Sequence, residues 1–191
     1  MFTEYLKLGM DHILDPNGYD HILFVTVLCS LYSPEEWKKL VILVTAFTLG
    51  HSLTLGLAAF EVVSFSSDVV EILIPVTIIL TGLYNIIMTL TPKYVIGNFH
   101  INYLLAAGFG LIHGLGFSTF FKAIMGRTEE IIRPLFAFNI GVEVGQLIIV
   151  ALILMIGYIL LNIIKLKKPY WTLSISLLSM FVASHLLLQK I

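Results

Sequence analysis

Long apolar runs separated by short polar connections constrain this chain more than any other feature of its sequence. A hydrocarbon core about 30 Å thick requires about 20 apolar residues per transmembrane helix, and the chain has room for about six such helices. We place these spans at 19–32, 40–60, 69–90, 101–121, 133–164 and 170–188, the first being short unless its polar flanks are counted. The sequence therefore predicts an all-α polytopic membrane protein, a bundle of about six transmembrane helices.

The composition excludes a soluble protein. Of the 191 residues, 58% are hydrophobic and 12% are charged, which leaves too few charged side chains to cover a water-exposed surface. No separate soluble domain fits, so we predict a single integral membrane domain over 1–191. The net charge of −1 supplies no basic stripe for phosphates, so we expect membrane lipid and no nucleic acid as partners. A homo-oligomer remains open.

The first residues differ from the spans because charged side chains interrupt them. Apolar residues can share one helical face while Glu4, Lys7 and Asp11 lie on the other, which is typical of a helix lying at a membrane surface. We predict a short amphipathic, interfacial helix over 1–14, followed by a turn at Asp-Pro-Asn-Gly, 15–18.

The distribution of Lys and Arg favours one orientation. The connection 61–68 has neither residue, and the two densest basic clusters, at 38–39 and 165–168, both lie on the other face of the predicted bundle. Because cytoplasmic loops are enriched in Lys and Arg, we predict that both termini lie outside the cytoplasm.

Ionisable residues occur in the middle of three spans. His51, His113 and Glu143 lie about ten to twelve residues into their spans, so each comes near the bilayer midplane. Gly110 and Gly114, four apart, let the helix carrying His113 approach its neighbours closely. An ionisable group at this depth is costly and is by default a functional hypothesis. The alternative for a histidine is a hydrogen bond that only joins two helices.

Further polar residues extend this group. Asn139 and Gln146 share a helical face with Glu143, and an unpaired carboxylate in hydrocarbon needs a partner such as a histidine, a metal ion or a proton. Asp20 and His21 enter the first span from the face that carries both termini. We therefore predict a column of polar side chains that runs from that surface of the membrane to its midplane. Supporting candidates are Asn139, Gln146, Ser52, Glu71, His12 and His185.

These residue types suit metal binding. Imidazole and carboxylate without thiolate suit Ni²⁺, Co²⁺, Zn²⁺, Fe²⁺ or Mn²⁺ more than Cu⁺. The sequence has no Walker A motif, no Gly-x-Ser-x-Gly and no His-Glu-x-x-His. Three classes stay open: a metal transporter, an intramembrane zinc hydrolase with Glu143 as general base, and an assembly subunit whose polar groups only hold helices together.

Four motifs in the same order resemble the HupE/UreJ membrane proteins. They are GYDHILFV at 18–25, TAFTLGHSLTL at 45–55, GFGLIHGLGF at 108–117 and FNIGVEVGQ at 138–146. That family is associated with hydrogenase and urease maturation, and its histidines are thought to bind nickel during uptake. The resemblance implies metal contact at His21, His51 and His113, with Asp20 and Glu143 as carboxylate companions. The interval between His12 and Asp20 is longer than the family's usual spacing, so His12 receives only a supporting role.

We therefore predict the binding and transmembrane transport of a divalent transition metal ion (Ni, Co or Zn), most of all nickel or cobalt, in the bacterial inner (plasma) membrane. The ion would be the substrate, held at an intramembrane site of histidines and carboxylates. The alternative function is an intramembrane metal-dependent (zinc) hydrolase that acts on a lipid or peptide substrate.

Overall fold

The computed structural model describes residues 2–91, 99–125 and 131–191, and every regular element in these ranges is helical. The elements are α1 (Phe2–Leu14), α2 (Asp20–Ser30), a 3₁₀ turn (Pro34–Glu36), α3 (Trp37–Ala59), α4 (Ser67–Leu90), α5 (Phe99–Met125), α6 (Ile132–Tyr158), a π-helical continuation (Ile159–Ile163) and α7 (Lys168–Leu188). The predicted all-α bundle with an N-terminal helix is confirmed.

Five helical segments are long and apolar enough to cross a membrane. They are Pro34–Ala59, Ser67–Leu90, Asn102–Phe121, Ile132–Ile163 and Lys168–Leu188, and they match five of the predicted spans to within a few residues. The remaining predicted span, 19–32, corresponds to α2. Its 11 residues are about 16 Å long, about half the hydrocarbon thickness. The chain is an integral membrane protein in which one apolar helix is too short to cross by itself.

Glycines bring α3 and α5 into backbone contact. A β-carbon at Gly110 would collide with the carbonyl oxygen of Phe47, and one at Gly50 with the carbonyl oxygen of Ala107. Only glycine permits this approach, as the glycine spacing predicted. The two helices lie side by side in the same direction, and this contact places His51 of α3 and His113 of α5 at similar depth.

Gly110→Leu is expected to destabilise the bundle, because its side chain meets backbone that has no room to move. Overpacking a well-packed site costs about 1–3 kcal/mol even where side chains can adjust. Gly108→Leu, on the same helix, is the matched control, since a β-carbon at Gly108 meets nothing within 4 Å. Thermal unfolding in detergent should show a lower midpoint for the first variant alone. Equal midpoints would contradict the close packing.

The helix α1 packs along α6 through the same kind of glycine-to-backbone contact. Gly9 faces the carbonyl oxygen of Phe138, and Gly141 faces that of Leu6, while Ile13 is fully buried. The helix is amphipathic as predicted, but α6 covers much of its apolar face, where the sequence suggested lipid. The physical reason is that small residues on both helices allow backbone contact. Its placement at the membrane surface stays a prediction.

The short helix α2 lies inside the bundle, in contact with α4, α6 and α7. Most of its residues are buried, including Phe24 and Val25. Because α2 is short and surrounded by protein, its first residues, Asp20 and His21, begin within the bundle.

Candidate metal centre

Three imidazoles from three helices meet inside the bundle. His12 lies near the end of α1, His21 at the start of α2 and His51 in the second half of α3. One ring nitrogen from each lies within 4.8 Å of those from the other two. His21 is 3% exposed and His51 is 0% exposed. We call these three residues the histidine cluster.

The histidine cluster holds ring nitrogens that lack hydrogen-bond partners among the described residues. Nε2 of His12, Nε2 of His21 and both nitrogens of His51 are buried in this way. A buried polar atom without a partner costs free energy and is uncommon in folded proteins. A metal ion that accepts one lone pair from each of the three rings would remove the cost for one nitrogen of each histidine, and imidazole is a common ligand of Zn²⁺, Ni²⁺ and other first-row metals.

His12 lies outside the five candidate spans, yet its ring is deeply packed. Its centre is 4.6 Å from that of His21 and 5.9 Å from that of His51. Burial, and the neighbouring imidazoles of His21 and His51, lower the pKa of His12 well below the ordinary histidine value. The ring is therefore neutral at physiological pH, which is the form that binds metal ions.

Asp20 orients His21. Its Oδ1 lies 3.0 Å from Nδ1 of His21 and also accepts the backbone N–H of the same residue at 2.8 Å. Donation from Nδ1–H leaves Nε2 with its lone pair free for a metal, which is the common arrangement of carboxylate, histidine and metal. In this structure Asp20 acts on the cluster through His21.

A fourth imidazole, that of His113, borders the cluster. Its ring centre lies 5.0 Å from that of His21, and the residue is 1% exposed. Its Nε2 lies 3.1 Å from Oγ1 of Thr77 on α4, while Nδ1 is buried without a described partner. His113 therefore adjoins the histidine cluster without belonging to the three-histidine group.

Glu143 belongs to a second polar group, between α3 and α6. Its carboxylate contacts the hydroxyls of Thr45, at 2.6 Å, and of Thr48. The Thr48 hydroxyl also lies 2.8 Å from Oε1 of Gln146. Since Thr48 precedes His51 by three residues, this group lies about one helical turn along α3 from the cluster. No hydrogen bond joins a described imidazole to Glu143.

The other predicted residues lie at varying distances from the cluster. Glu71 accepts a hydrogen bond from Lys190 at 2.6 Å and lines, with Asp20, a recess of about 180 Å³. His185 is exposed and lies 3.0 Å from Gln189. Ser52 is half-buried, and Oδ1 of Asn139 is buried without a described partner. The structure places none of these four in the described three-histidine group.

A cavity of about 570 Å³ opens beside the cluster. Its lining includes His12, two carboxylates, Asp11 and Asp15, and two phenylalanines, Phe117 and Phe120. Two carboxylates at a partly apolar opening raise the local concentration of cations. We call this cavity the vestibule, and it reaches the side chain of His12.

Sequence reasoning gave His12 only a supporting role, whereas the structure places its ring beside those of His21 and His51. The interval of seven residues to Asp20 suggested separation, but the turn at 15–18 folds the end of α1 back beside the start of α2. That turn was the signal that could have found the pairing. The hydroxyls of Thr45 and Thr48 were also missed, although their spacing places them on one face of α3.

Buried imidazoles with free nitrogens, held between helices of a membrane bundle, define the class of this protein: a polytopic membrane protein with an intramembrane histidine centre. The chain belongs to the HupE / UreJ family, since the family model described as HupE / UreJ protein matches residues 1–190. This confirms the resemblance found in the four motifs. Searches of curated proteins and of solved structures returned no match.

Proposed function

We propose that this protein binds a divalent transition metal ion at the histidine cluster and carries it across the membrane, with nickel or cobalt as the ion. The observation that carries the proposal is the set of buried ring nitrogens without described partners on His12, His21 and His51. Three imidazoles suit Ni²⁺, Co²⁺ or Zn²⁺. Membership of the HupE / UreJ family, which is associated with nickel uptake, favours nickel or cobalt over zinc.

The surrounding residues support an order of events. The carboxylates of Asp11 and Asp15 attract the cation into the vestibule, from which His12 takes it. Asp20 holds His21 in the orientation needed for binding. The ion then passes from the cluster to His113, whose ring adjoins that of His21.

The loop charges suggest the direction of capture. The vestibule lies near the C-terminal end of α5. The connection 61–66 between α3 and α4 lies at the same end of the bundle. That connection has no Lys or Arg, so by the positive-inside rule it faces away from the cytoplasm. We propose that the protein captures the ion from outside the cell.

The hydrolase alternative meets a geometric difficulty. A general base must come within hydrogen-bond reach of the metal-bound water, whereas the Glu143 carboxylate is held by Thr45 and Thr48 about one turn away from the cluster. This placement favours transport.

The test is metal analysis of purified protein followed by uptake into proteoliposomes. We expect one Ni²⁺ or Co²⁺ per chain and accumulation of that ion inside the vesicles. Protein that contains no bound metal after incubation with Ni²⁺, Co²⁺ and Zn²⁺ would overturn the proposal. Bound zinc without uptake of any ion would instead favour the hydrolase.

Asp20→Asn is expected to lower the affinity for Ni²⁺ about tenfold while one ion per chain still binds at saturation. The amide keeps the size of the side chain but loses the charge that orients and polarises the His21 ring, and loss of such a partner typically costs 10- to 100-fold in metal affinity. Asp68→Asn, at an exposed carboxylate in the first turn of α4, is the control. Titration calorimetry in detergent measures both variants, and equal affinities would contradict the orienting role.

A further inference from the structure

The helices α4 and α5 touch at one end of the bundle and leave a gap toward the other. Near the vestibule, a β-carbon at Gly116 of α5 would lie 2.9 Å from Cδ1 of Ile74 on α4. One turn further in, Nε2 of His113 lies 3.1 Å from Oγ1 of Thr77. Beyond this contact, a cavity of about 260 Å³ lies between these two helices and α2. We call it the lateral cavity.

Apolar side chains form almost the whole wall of the lateral cavity. They come from all three helices and are Leu28, Leu31, Leu80, Leu105, Ala106 and Phe109. An apolar cavity of about 150 Å³ lined by such residues stays dry and takes up benzene. The lateral cavity is larger than that, so it suits an apolar ligand and does not suit an ion.

The polar side chains in the wall are bonded to protein groups. The Thr81 hydroxyl donates to the carbonyl oxygen of Thr77 in its own helix at 2.8 Å. Nδ2 of Asn85 donates to the carbonyl oxygen of Val27 on α2 at 2.6 Å. Because these donors are used within the protein, an occupant of the lateral cavity does not have to supply hydrogen-bond partners for them.

The lateral cavity opens sideways into the membrane. Leu80 on α4 and Leu105 on α5 line it, belong to candidate membrane spans and are 48% and 38% exposed. The inner wall includes Leu28 of α2, which is only 9% exposed. A molecule that enters from the hydrocarbon between α4 and α5 therefore reaches α2 in the interior of the bundle.

A hydrogen-bonded group lies at the end of the lateral cavity nearest the membrane surface. The Tyr84 hydroxyl donates to Oδ1 of Asn102 at 2.6 Å, and the Asn102 amide donates to the Tyr32 hydroxyl at 2.8 Å. Asn102 is the first residue of its candidate span, whereas Phe109 lies seven residues, about 10 Å, deeper. The cavity is therefore elongated along α5, with hydroxyls at its shallow end and apolar side chains at its deep end.

We propose that the lateral cavity is a binding site for one acyl chain of a membrane phospholipid, whose headgroup lies at the end marked by Tyr84 and Asn102. Tyrosine is enriched at this depth because its apolar ring and its hydroxyl suit the boundary between hydrocarbon and headgroups. The cavity is continuous with the lipid-facing surface of α4 and α5, so the surrounding bilayer supplies the occupant. A flexible chain matches the elongated apolar shape. The inference does not depend on metal binding.

Photo-crosslinking in proteoliposomes tests whether the chain enters. The vesicles contain a phosphatidylcholine with a diazirine in one acyl chain, and labelled residues are mapped by mass spectrometry after illumination. We expect label on Leu28 of α2 as well as on Leu104, which is 74% exposed and serves as the lipid-facing reference. Since α2 is surrounded by protein, label on Leu28 requires a chain inside the cavity. Label on Leu104 without label on the cavity-lining residues of α2 would overturn the proposal.

Ala106→Leu tests the same site by filling it, because Ala106 is fully buried in the wall of the cavity. We expect the label on Leu28 to fall to background while the label on Leu104 stays unchanged. Thr81→Leu fills the cavity from α4 and should have the same effect. The matched control is Ala151→Leu, the same substitution at an exposed position of α6, which should label like the parent. Undiminished label on Leu28 in both filled variants would contradict the site.

Thermal unfolding of delipidated protein in detergent separates an acyl chain from other occupants. A ligand that binds only the folded state raises the unfolding midpoint, so added phosphatidylcholine should raise that of the parent by about 3 °C and leave that of Ala106→Leu unchanged. Glycerophosphocholine, which has the headgroup without the chains, should have no effect. An equal rise with glycerophosphocholine would assign the binding to the headgroup, and no rise with phosphatidylcholine would leave the cavity without a lipid. Either result overturns the proposal.

Discussion

Replacing His51 by alanine is expected to lower the affinity for Ni²⁺ or Co²⁺ at least a hundredfold, about 2.8 kcal/mol. His51 is fully buried and both of its ring nitrogens lack described partners, so its removal takes away a ligand that nothing nearby replaces. His185→Ala is the control, since that histidine is exposed on α7. Titration calorimetry on purified protein measures both variants.

A comparison of His12 with His113 sharpens this prediction. The structure places His12 in the cluster, so His12→Ala should weaken binding about as much as His51→Ala. His113 borders the cluster, so His113→Ala should slow uptake more than it weakens binding. The sequence motifs instead predicted metal contact at His113 and only a supporting role for His12. Normal affinity in both the His12 and the His51 variants would show that the cluster is not the metal site.

Glu143→Gln is expected to lower both the affinity for Ni²⁺ and the rate of uptake about thirtyfold. The amide keeps the shape, its oxygen can still accept one of the two hydrogen bonds from Thr45 and Thr48, and its NH₂ group can donate to the other hydroxyl, so the change removes mainly one negative charge. At an effective dielectric constant of about 20, a carboxylate and a divalent ion as much as about 15 Å apart attract by about 2 kcal/mol. Glu61→Gln, at an exposed carboxylate after α3, is the control.

The same variant separates transport from hydrolysis. If Glu143 were a general base, Glu143→Gln would leave the metal in place and abolish turnover of a lipid or peptide substrate, because the amide accepts no proton. Metal stoichiometry, uptake and turnover should be measured on one preparation. Full occupancy in this variant, with no uptake by the parent, would overturn the transporter and favour the hydrolase.

The helices themselves were predictable because each depends on local sequence. Runs of about 20 apolar residues identify membrane helices without knowledge of their neighbours, and five of the six predicted spans match the described helices. The spacing of Gly110 and Gly114 predicted a close helix contact, because small residues one turn apart on a membrane helix let a neighbouring backbone approach closely. The family was likewise evident from four short motifs.

The sequence by itself therefore determined the class of fold and the family, and it supplied imidazole and carboxylate as the candidate ligand types. Which histidines meet was decided by tertiary structure, because residues far apart in the chain are brought together by how helices pack. The turn after α1 returns His12 to His21, and α3 supplies His51, whereas Thr45 and Thr48 hold Glu143 in a neighbouring group. Depth along a helix follows from 1.5 Å per residue, but the direction in which a side chain faces depends on its partner helices.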